Sequence, residues 1–267
     1  MKAMRSVAER ANTIPGEFVL RKNLATSPIS EIYLCTLNNI KAVVRFDAPC
    51  ASMLAIHRAN EVIVLNSIQD LQLSPRVLYH NQLEGVLIWK FIAGEEFSFD
   101  LAHQRESYLQ SLGKGLKLIH SQATPPECLD IFSNSLSLYQ SLLQEAPSKS
   151  LVDKASSLYE ALSNDGSNYV LSHNDLNRSN LLWCNKVYFL DWEYSGPNHP
   201  CFDIASLVKT YNLMPAEIAY LADGYDGDHE LFKIDTLNQW MQFISYLDEI
   251  WEIAVTTIQA QLKIKID

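Results

Sequence analysis

The chain has 267 residues, of which 48% are hydrophobic, and its formal net charge is −10 at pH 7. This length and apolar content predict a globular protein of two lobes or one large unit, and they exclude a disordered or fibrous chain. The acidic balance argues against a nucleic-acid partner, because such binding depends on Lys and Arg neutralising phosphates.

Two further features concern the cellular setting. No run reaches the roughly 20 apolar residues that span a bilayer, and the N-terminus lacks an apolar signal core. The five cysteines form no C-x-x-C pair, which favours free thiols over disulfides. We therefore expect a cytoplasmic protein without a membrane partner; the sequence leaves its oligomeric state open.

The first third of the chain has the pattern of a small antiparallel sheet. Short runs rich in β-branched residues predict five strands, and Asn38-Asn39 predicts the hairpin turn between the second and third. These strands are Phe18–Leu24, Glu31–Leu37, Ile40–Phe46, Arg76–His80 and Val86–Phe91. Apolar residues at helical spacing predict one long helix over Ala51–Gln69.

From the hinge-like Ala93-Gly94 onwards the pattern is mainly helical. The predicted helices are Ser98–Ser121, Asn134–Gln144, Leu151–Leu162, Phe202–Tyr211 and Ala216–Ala222, with two more within Glu230–Lys265. We therefore predict an α+β, bilobal fold. A small antiparallel sheet with one helix forms an N-terminal lobe over residues 1–92, and a larger, mainly helical lobe covers residues 93–267.

The segment that carries chemistry begins after a short predicted strand, Tyr169–Ser172. His173, Asp175 and Asn180 form the pattern H-x-D-x-x-x-x-N. Phosphoryl transfer needs a carboxylate that orients the attacking hydroxyl and accepts its proton, and a neutral oxygen ligand for magnesium. Asp175 and Asn180 fit these two roles.

A second motif follows as a predicted hairpin. Two short apolar runs flank the turn residues Asn185-Lys186, and this register places Asn180 opposite Asp191 and Trp183 opposite Tyr188. Asn180 and Asp191 would then hold one magnesium ion from the same end of the hairpin.

Each of these residues also has a structural interpretation. Asp175, Asn180 and Asp191 are common types in loops and caps. Glu193 has two open roles, as a ligand of a second ion or its water and as a structural residue. We expect His173 to support the loop by hydrogen bonds and not to act as an acid, base or metal ligand.

These residues resemble the aminoglycoside phosphotransferase and choline kinase superfamily, which has a protein-kinase-like fold. The stretch Asp191-Trp192-Glu193-Tyr194 is similar to the "DWEY" motif of its choline, ethanolamine and thiamine kinase branch. Phe202-Asp203-Ile204-Ala205 resembles the next family element, which implies that Asp203 braces the catalytic loop.

The resemblance also implies a nucleotide site in the first lobe. Arg45 stands where the family carries a basic residue to the ATP phosphates, and Glu61 would be its ion-pair partner on the helix. Lys41 is the reserve candidate for Arg45. The backbone around Phe91 and Ile92 would bind the adenine edge.

Two features depart from the family pattern. The loop that usually covers the phosphates with glycine has none here; Ser27, Ser30 and backbone N–H groups are the candidate donors, and Pro28 removes one N–H. Thr210 stands where choline kinases have a Glu that neutralises the substrate cation.

The acceptor site is therefore less defined. The late Trp-x-x-Trp pair that boxes a quaternary ammonium in choline kinases is represented by Asp248 and Trp251. Asp248, Glu249 or Glu252 is a candidate for the missing negative charge, although a solvated acidic helix face is the favoured interpretation for any one of them. Asn177 is a further candidate contact to the acceptor.

The resulting hypothesis is an enzyme that uses ATP and Mg²⁺ to phosphorylate a hydroxyl of a small, cationic metabolite: choline, ethanolamine or thiamine. An aminoglycoside kinase is the alternative within the same enzyme class. A nucleotide-binding regulator without catalysis is the alternative from another class, and the glycine-free loop is its main support.

Overall fold

The computed structural model describes residues 5–54, 56–96, 102–226 and 229–264. A short helix α1 (Val7–Ala11) precedes a five-stranded antiparallel sheet of β1 (Phe18–Thr26), β2 (Ser30–Leu37), β3 (Ile40–Asp47), β4 (Val77–Asn81) and β5 (Val86–Lys90). The spatial order is β1-β2-β3-β5-β4. All five strands predicted from β-branched runs are present, within two residues at each end.

The sheet is covered on both faces. One face carries the buried side chains of Cys35, Val44, Phe46 and Ile88, against which α1 packs through Val7. The other face packs on helix α2 (Arg58–Ser67) and joins the main core of the molecule. Helix α1 is too short for its periodicity to be recognised in the sequence.

Helix α2 is shorter than predicted. Only Arg58–Ser67 is α-helical within the predicted Ala51–Gln69, because His57 has the non-helical angles φ −101° and ψ 87°. Short 3₁₀ turns cover Ala51–Leu54 and Gln69–Leu71. Leu54 and Ile56 are nevertheless buried, so that burial, and not a continuous helix, explains the apolar spacing before Arg58.

The remainder of the chain is mostly helical. Its elements in chain order are β6 (Glu95–Glu96), α3 (Ala102–His120), α4 (Ile131–Leu142), α5 (Ser148–Ser163), β7 (Val170–Ser172), β8 (Leu181–Trp183), β9 (Val187–Phe189), β10 (Gly196–Asn198), α6 (Pro200–Tyr211), α7 (Pro215–Tyr225) and α8 (Ile234–Ile264). The predicted start of α3 at Ser98 lies outside the described residues. Among the helices of the described residues, none combines the length and the apolar character of a membrane span.

The two helices predicted within Glu230–Lys265 form one. A 3₁₀ turn at His229–Phe232 leads into α8, which runs for 31 residues. No Gly or Pro interrupts it, and Trp240, Phe243, Ile250 and Ile258 on its buried side keep one face of the helix on the core.

The predicted register of the β8–β9 hairpin is wrong by one residue. Leu181 pairs with Phe189, and the N–H of Leu190 donates to the carbonyl of Asn180 at 2.8 Å, so Asn180 lies opposite Leu190 and not Asp191. The turn uses three residues, with Asn185 at φ 59° at its centre, where a tip of Asn185-Lys186 was expected. An odd loop length shifts the pairing by one position.

Candidate active site

The ion pair between Arg45 and Glu61 connects β3 to α2. Arg45 Nη1 donates to Glu61 Oε1 at 2.9 Å, Arg45 Nη2 contacts Glu61 Oε2, and both side chains are buried. Burial alone would raise the pKa of Glu61, but Arg45 and Arg58 lower it overall. The Arg45–Glu61 ion pair predicted from the sequence is therefore present.

Arg45 belongs to a larger buried ion cluster between the sheet and the second lobe. Its Nε lies 3.2 Å from Asp47 Oδ1, and its Nη1 lies 3.3 Å from Asp191 Oδ1. All three guanidinium nitrogens thus face carboxylates. The reserve candidate Lys41 lies elsewhere, with its ammonium 3.8 Å from the centre of the Phe91 ring.

Asp203, in the first turns of α6, supports the backbone of the catalytic loop. Its Oδ2 accepts from the N–H of His173 at 2.7 Å and its Oδ1 from the N–H of Asn174 at 2.8 Å. His120 Nε2 lies 3.1 Å from the same Oδ2, and His120 Nδ1 lies 2.8 Å from the Tyr225 hydroxyl. Asp203 therefore fixes the loop through its backbone, as the resemblance implies.

His173 holds the loop from its other side. Its Nε2 lies 2.8 Å from the carbonyl oxygen of Leu190, and its Nδ1 lies 3.3 Å from the N–H of Asp175, so that Nε2 donates and Nδ1 accepts. Burial lowers the pKa of His173, which favours this neutral form. These contacts match the supporting role expected for His173.

Asp175 lies at the wall of the cleft and is held by two amides. Asn177 Nδ2 donates to Asp175 Oδ1 at 3.1 Å, and Asn180 Nδ2 donates to Asp175 Oδ2 at 2.9 Å. Burial, together with the charge of Glu193, raises the pKa of Asp175 to about 7. A carboxylate with these properties suits a general base near neutral pH.

Asn180 and Asp191 are the candidate metal ligands. The Asn180 amide nitrogen is occupied by Asp175, which leaves Asn180 Oδ1 as the acceptor, and Asp191 lines the cleft with its side chain 34% exposed. In the described part of the chain, no group of three or more His, Cys, Asp or Glu is placed to hold a metal. One carboxylate and one amide oxygen nevertheless fit Mg²⁺ that shares phosphate oxygens and water.

The backbone explains why Asp and Asn occupy these loops. Asn174 has φ 66° and Asp191 has φ 58°, both in the left-handed region that these two residue types tolerate best after glycine. Asn174 Nδ2 also donates to the carbonyl of Tyr194 at 2.9 Å, so the two loops hold each other.

The glycine-free loop closes on itself between β1 and β2. The N–H of Ser27 donates to the Ser30 carbonyl at 2.9 Å, and the N–H groups of Ile29 and Ser30 donate to Ser27 Oγ at 3.3 and 3.1 Å. Pro28 has no N–H to offer. The backbone donors of this turn are therefore used internally, and Ser27 Oγ lies 3.3 Å from both the carbonyl oxygen and the hydroxyl of Ser30. Of the two serines that line the cleft, Ser30 is therefore the better candidate to offer its hydroxyl to a phosphate.

The hinge candidates follow β5. The N–H of Phe91 donates to the Lys41 carbonyl at 3.1 Å, so Phe91 has only its backbone carbonyl left for an adenine edge. Ile92 lies between β5 and β6, where the predicted lobe boundary falls.

The cleft that Asp175 lines has a volume of about 870 Å³, and its part bounded by the helices of the second lobe is called the chamber here. Aromatic side chains from α4, the DWEY segment, α6 and α8 line the chamber: Phe132, Tyr139, Tyr194, Phe202 and Trp251. Trp251 Nε1 donates to the Tyr194 hydroxyl at 2.9 Å. Glu252 also lines this chamber.

Asp248 lines the cleft but is already paired. Its Oδ2 lies 2.5 Å from Lys209 Nζ, and the two side chains are 62% and 34% exposed. Thr210 turns its hydroxyl away to donate to the Leu176 carbonyl at 3.0 Å. Asn177 supports Asp175 and lines the same cleft.

Sequence reasoning missed several residues that shape the site. Arg58 contacts Glu193, Asn60 Nδ2 donates to the Ser195 carbonyl at 2.6 Å, and His120 contacts Asp203. The spacing Arg58-x-x-Glu61 on one helix turn was the available signal for Arg58. Nothing in the sequence pairs His120 with Asp203.

A sheet lobe with one braced helix, a catalytic loop held by Asp203 and an acidic cleft between the lobes define a kinase-like phosphotransferase of small molecules. The chain belongs to the phosphotransferase enzyme family (APH), which it matches over residues 26–237. The resemblance inferred from the motifs and the predicted bilobal fold are both confirmed.

Curated relatives of this chain include LicA proteins and an ethanolamine kinase. Protein LicA homolog of Mycoplasma capricolum subsp. capricolum is 25% identical over 198 residues, which are 72% of this chain and 76% of that protein. Ethanolamine kinase 1 of Homo sapiens is 40% identical over 111 residues, 40% of this chain and 22% of that protein. Protein LicA of Haemophilus influenzae is 32% identical over 148 residues, 53% of this chain and only 44% of that protein.

Solved structures share the fold. Choline kinase LicA from Streptococcus pneumoniae superimposes with a TM-score of 0.67 at 20% identity, covering 95% of this chain and 98% of that one. The streptomycin–ATP complex of APH(2")-IIa gives a TM-score of 0.65 at 17% identity, covering 91% and 90%. At these identities the likeness extends to the fold alone.

Proposed function

We propose that the protein transfers the γ-phosphoryl group of ATP to the hydroxyl of a small cationic amino alcohol, choline or ethanolamine. The observation that carries this proposal is the position of Asp175. It is a half-buried carboxylate with a raised pKa, it is held by two amides, and it lines the same cleft as the aromatic side chains.

In this proposal Asp175 orients the acceptor hydroxyl and takes its proton as the phosphoryl group leaves ATP. Asn180 Oδ1 and Asp191 would hold Mg²⁺. Bound Mg²⁺ would neutralise phosphate charge in the loose transition state. Arg45, fixed by Glu61, would add positive charge behind Asp191, and the hydroxyl of Ser30 would contact a phosphate oxygen.

The chamber supports a cationic acceptor. Aromatic faces and nearby carboxylates attract ammonium groups, and the wall combines Tyr194 and Trp251 with Asp248 and Glu252. Choline and ethanolamine are the preferred acceptors for two reasons. Ethanolamine kinase 1 of Homo sapiens is 40% identical over 40% of this chain, and choline kinase LicA shares the fold over 95% of it. Thiamine, the third acceptor expected from the motif, has no such support.

An aminoglycoside kinase is the second candidate. The likeness to APH(2")-IIa is nearly as great as that to choline kinase LicA, and an acidic cleft suits a polycationic substrate. The aromatic wall favours a single small ammonium group over a sugar with several amines.

The test is acceptor-dependent ADP formation with MgATP and a panel of choline, ethanolamine, thiamine and aminoglycosides, with product identified by mass spectrometry. We expect a phosphomonoester of choline or ethanolamine. Phosphorylation of an aminoglycoside alone would replace the proposed acceptor, and hydrolysis of ATP without any phosphorylated acceptor would refute transfer to these compounds.

A further inference from the structure

A second arginine of the ion cluster has no role in the mechanism described above. Arg58 is the first residue of α2, and its side chain is 12% exposed. Its Nη1 contacts Glu193 Oε2 and lies 3.6 Å from Glu61 Oε2, while its Nε lies 2.9 Å from Asp47 Oδ1. Arg58 therefore joins the N-terminal sheet, α2 and the DWEY segment of the second lobe.

The two carboxylates of the DWEY segment have different surroundings. Glu193 has a side chain only 5% exposed, with Arg58 in contact and Arg45 Nη1 at 3.8 Å. Asp191 is 34% exposed at the cleft and has Arg45 Nη1 at 3.3 Å. Both residues line the cleft, but Glu193 is the more buried and is compensated by protein cations, whereas Asp191 has the more exposed carboxylate.

We propose that Arg58 is a positioning residue that fixes Glu193 against α2, so that Asp191 is the one DWEY carboxylate presented to the metal and phosphates. The inference rests on the proposed function, because it presupposes the Mg²⁺ site at Asp191. The role expected for Glu193 from the sequence, as a ligand of a second ion or its water, stays a prediction; its contacts favour the protein-bound role.

This arrangement has an electrostatic consequence. Without Arg58, Glu193 would keep only Arg45 Nη1 of the described cations, at 3.8 Å, and that nitrogen already lies closer to Glu61 and Asp191. The poorly compensated charge of Glu193 beside Asp191 would then attract a divalent cation. Loss of the Arg58 guanidinium should therefore tighten cation binding while it spoils the placement of Asp191. A purely structural role would weaken binding and turnover together.

Asn60 provides a matched control on the same helix. Its Nδ2 donates to the Ser195 carbonyl at 2.6 Å, and its Oδ1 accepts from the N–H of Leu129 at 3.1 Å. Asn60 thus also ties α2 to the second lobe, but through neutral hydrogen bonds. Asn60→Ala weakens that connection without changing the charge around Glu193.

The experiment measures Mn²⁺ binding by electron paramagnetic resonance in the presence of ADP, for wild type, Arg58→Met, Arg58→Lys, Asn60→Ala and the double variant Arg58→Met/Glu193→Gln. We expect Arg58→Met to bind Mn²⁺ about tenfold more tightly than wild type. Arg58→Lys, Asn60→Ala and the double variant should bind it as wild type does. With MgATP, kcat should fall in Arg58→Met and recover in Arg58→Lys, with little change in KM.

Unchanged or weaker Mn²⁺ binding in Arg58→Met would overturn the proposal, as would tighter binding that persists in the double variant. Thermal melting of each variant separates misfolded protein from altered sites. Because Mn²⁺ binding requires neither acceptor nor turnover, failure of every acceptor in the panel would refute the proposed function and leave the role of Arg58 standing.

Discussion

Two carboxylates in the cleft have different roles: one is placed for proton transfer, and the other is already paired with a lysine. Asp175 is held by Asn177 and Asn180 in a geometry suited to one proton transfer. Asp248, by contrast, is already neutralised by Lys209 at 2.5 Å. A cationic acceptor that approaches Asp248 must therefore compete with a cation of the protein itself.

We predict that Lys209→Met lowers the KM for choline or ethanolamine about threefold to tenfold, because it frees Asp248 to attract the substrate ammonium. Asp248→Asn should raise the same KM. Steady-state kinetics with varied acceptor provide the measurement. Lys149→Met removes a comparable exposed pair, Lys149–Asp153, away from the cleft, and should leave KM unchanged. An unchanged or higher KM in Lys209→Met would show that the pair does not oppose the substrate.

At the scale of elements, the contact between α3 and α7 positions the support beneath the catalytic loop. Helix α3 ends with His120, which contacts Asp203, and α7 ends with Tyr225, which contacts His120. The two helices approach closely at glycines: a Cβ on Gly113 would lie 2.2 Å from the Leu221 carbonyl oxygen. That oxygen belongs to helix backbone and cannot yield without moving α7.

We predict that Gly113→Ala lowers the free energy of unfolding by about 2 kcal/mol, because overpacking outweighs the gain in helix propensity. Gly115→Ala is the matched control on the same helix, since its added Cβ would meet the Phe189 ring edge at 3.0 Å and not a carbonyl. Urea denaturation measures both variants. Equal stability changes in the two variants would mean that the α3–α7 approach is not the constraint.

Local sequence patterns predicted the helices and strands better than they predicted how these elements pair and contact each other. The five strands follow from β-branched runs, but the β8–β9 register depended on one residue in the turn, where Asn185 takes a positive φ. The absence of glycine in the Ser27–Ser30 loop was visible in the sequence. That Ser27 Oγ accepts from two amides of that loop was not, because such a contact depends on the folded turn.

The site residues show the same division. The motif spacing predicted Asp175, Asn180 and Asp191 as site residues, and the resemblance predicted the Arg45–Glu61 ion pair that the structure contains. Residues that act between distant elements carry no spacing signal, and for this reason the contact of Arg58 with Glu193 was not foreseen.

At the scale of the whole molecule, the two lobes meet through buried charges and the second lobe is held by buried histidines. His199 caps α6 through Nδ1 to the N–H of Cys201 at 3.1 Å, its Nε2 lies 3.0 Å from Asp165, and its ring stacks on Trp240. Burial lowers the pKa of His199 below its ordinary value of 6.5, although Asp165 opposes the shift.

This shift has a defined sign for stability. Because burial disfavours protonated His199, the folded state binds this proton at a lower pH than the unfolded state does. The free energy of unfolding therefore decreases as the pH falls below 6.5, where His199 of the unfolded chain becomes protonated. We predict that His199→Asn, which keeps a capping side chain, loses less free energy of unfolding than wild type between about pH 7.5 and about pH 5.5. His173 and Asp175 are present in both proteins, so their contributions to the pH dependence cancel when the two losses of free energy are compared. Equal losses in urea titrations at the two pH values would contradict the prediction.

The most direct test of the catalytic assignment compares wild type with Asp175→Asn in one reaction followed by ³¹P NMR, with MgATP and choline or ethanolamine. We expect wild type to form a phosphomonoester, and Asp175→Asn to lose at least about a hundredfold in rate while ADP binding is retained. Rapid phosphomonoester formation by Asp175→Asn would contradict the assignment of Asp175 as the residue that accepts the hydroxyl proton.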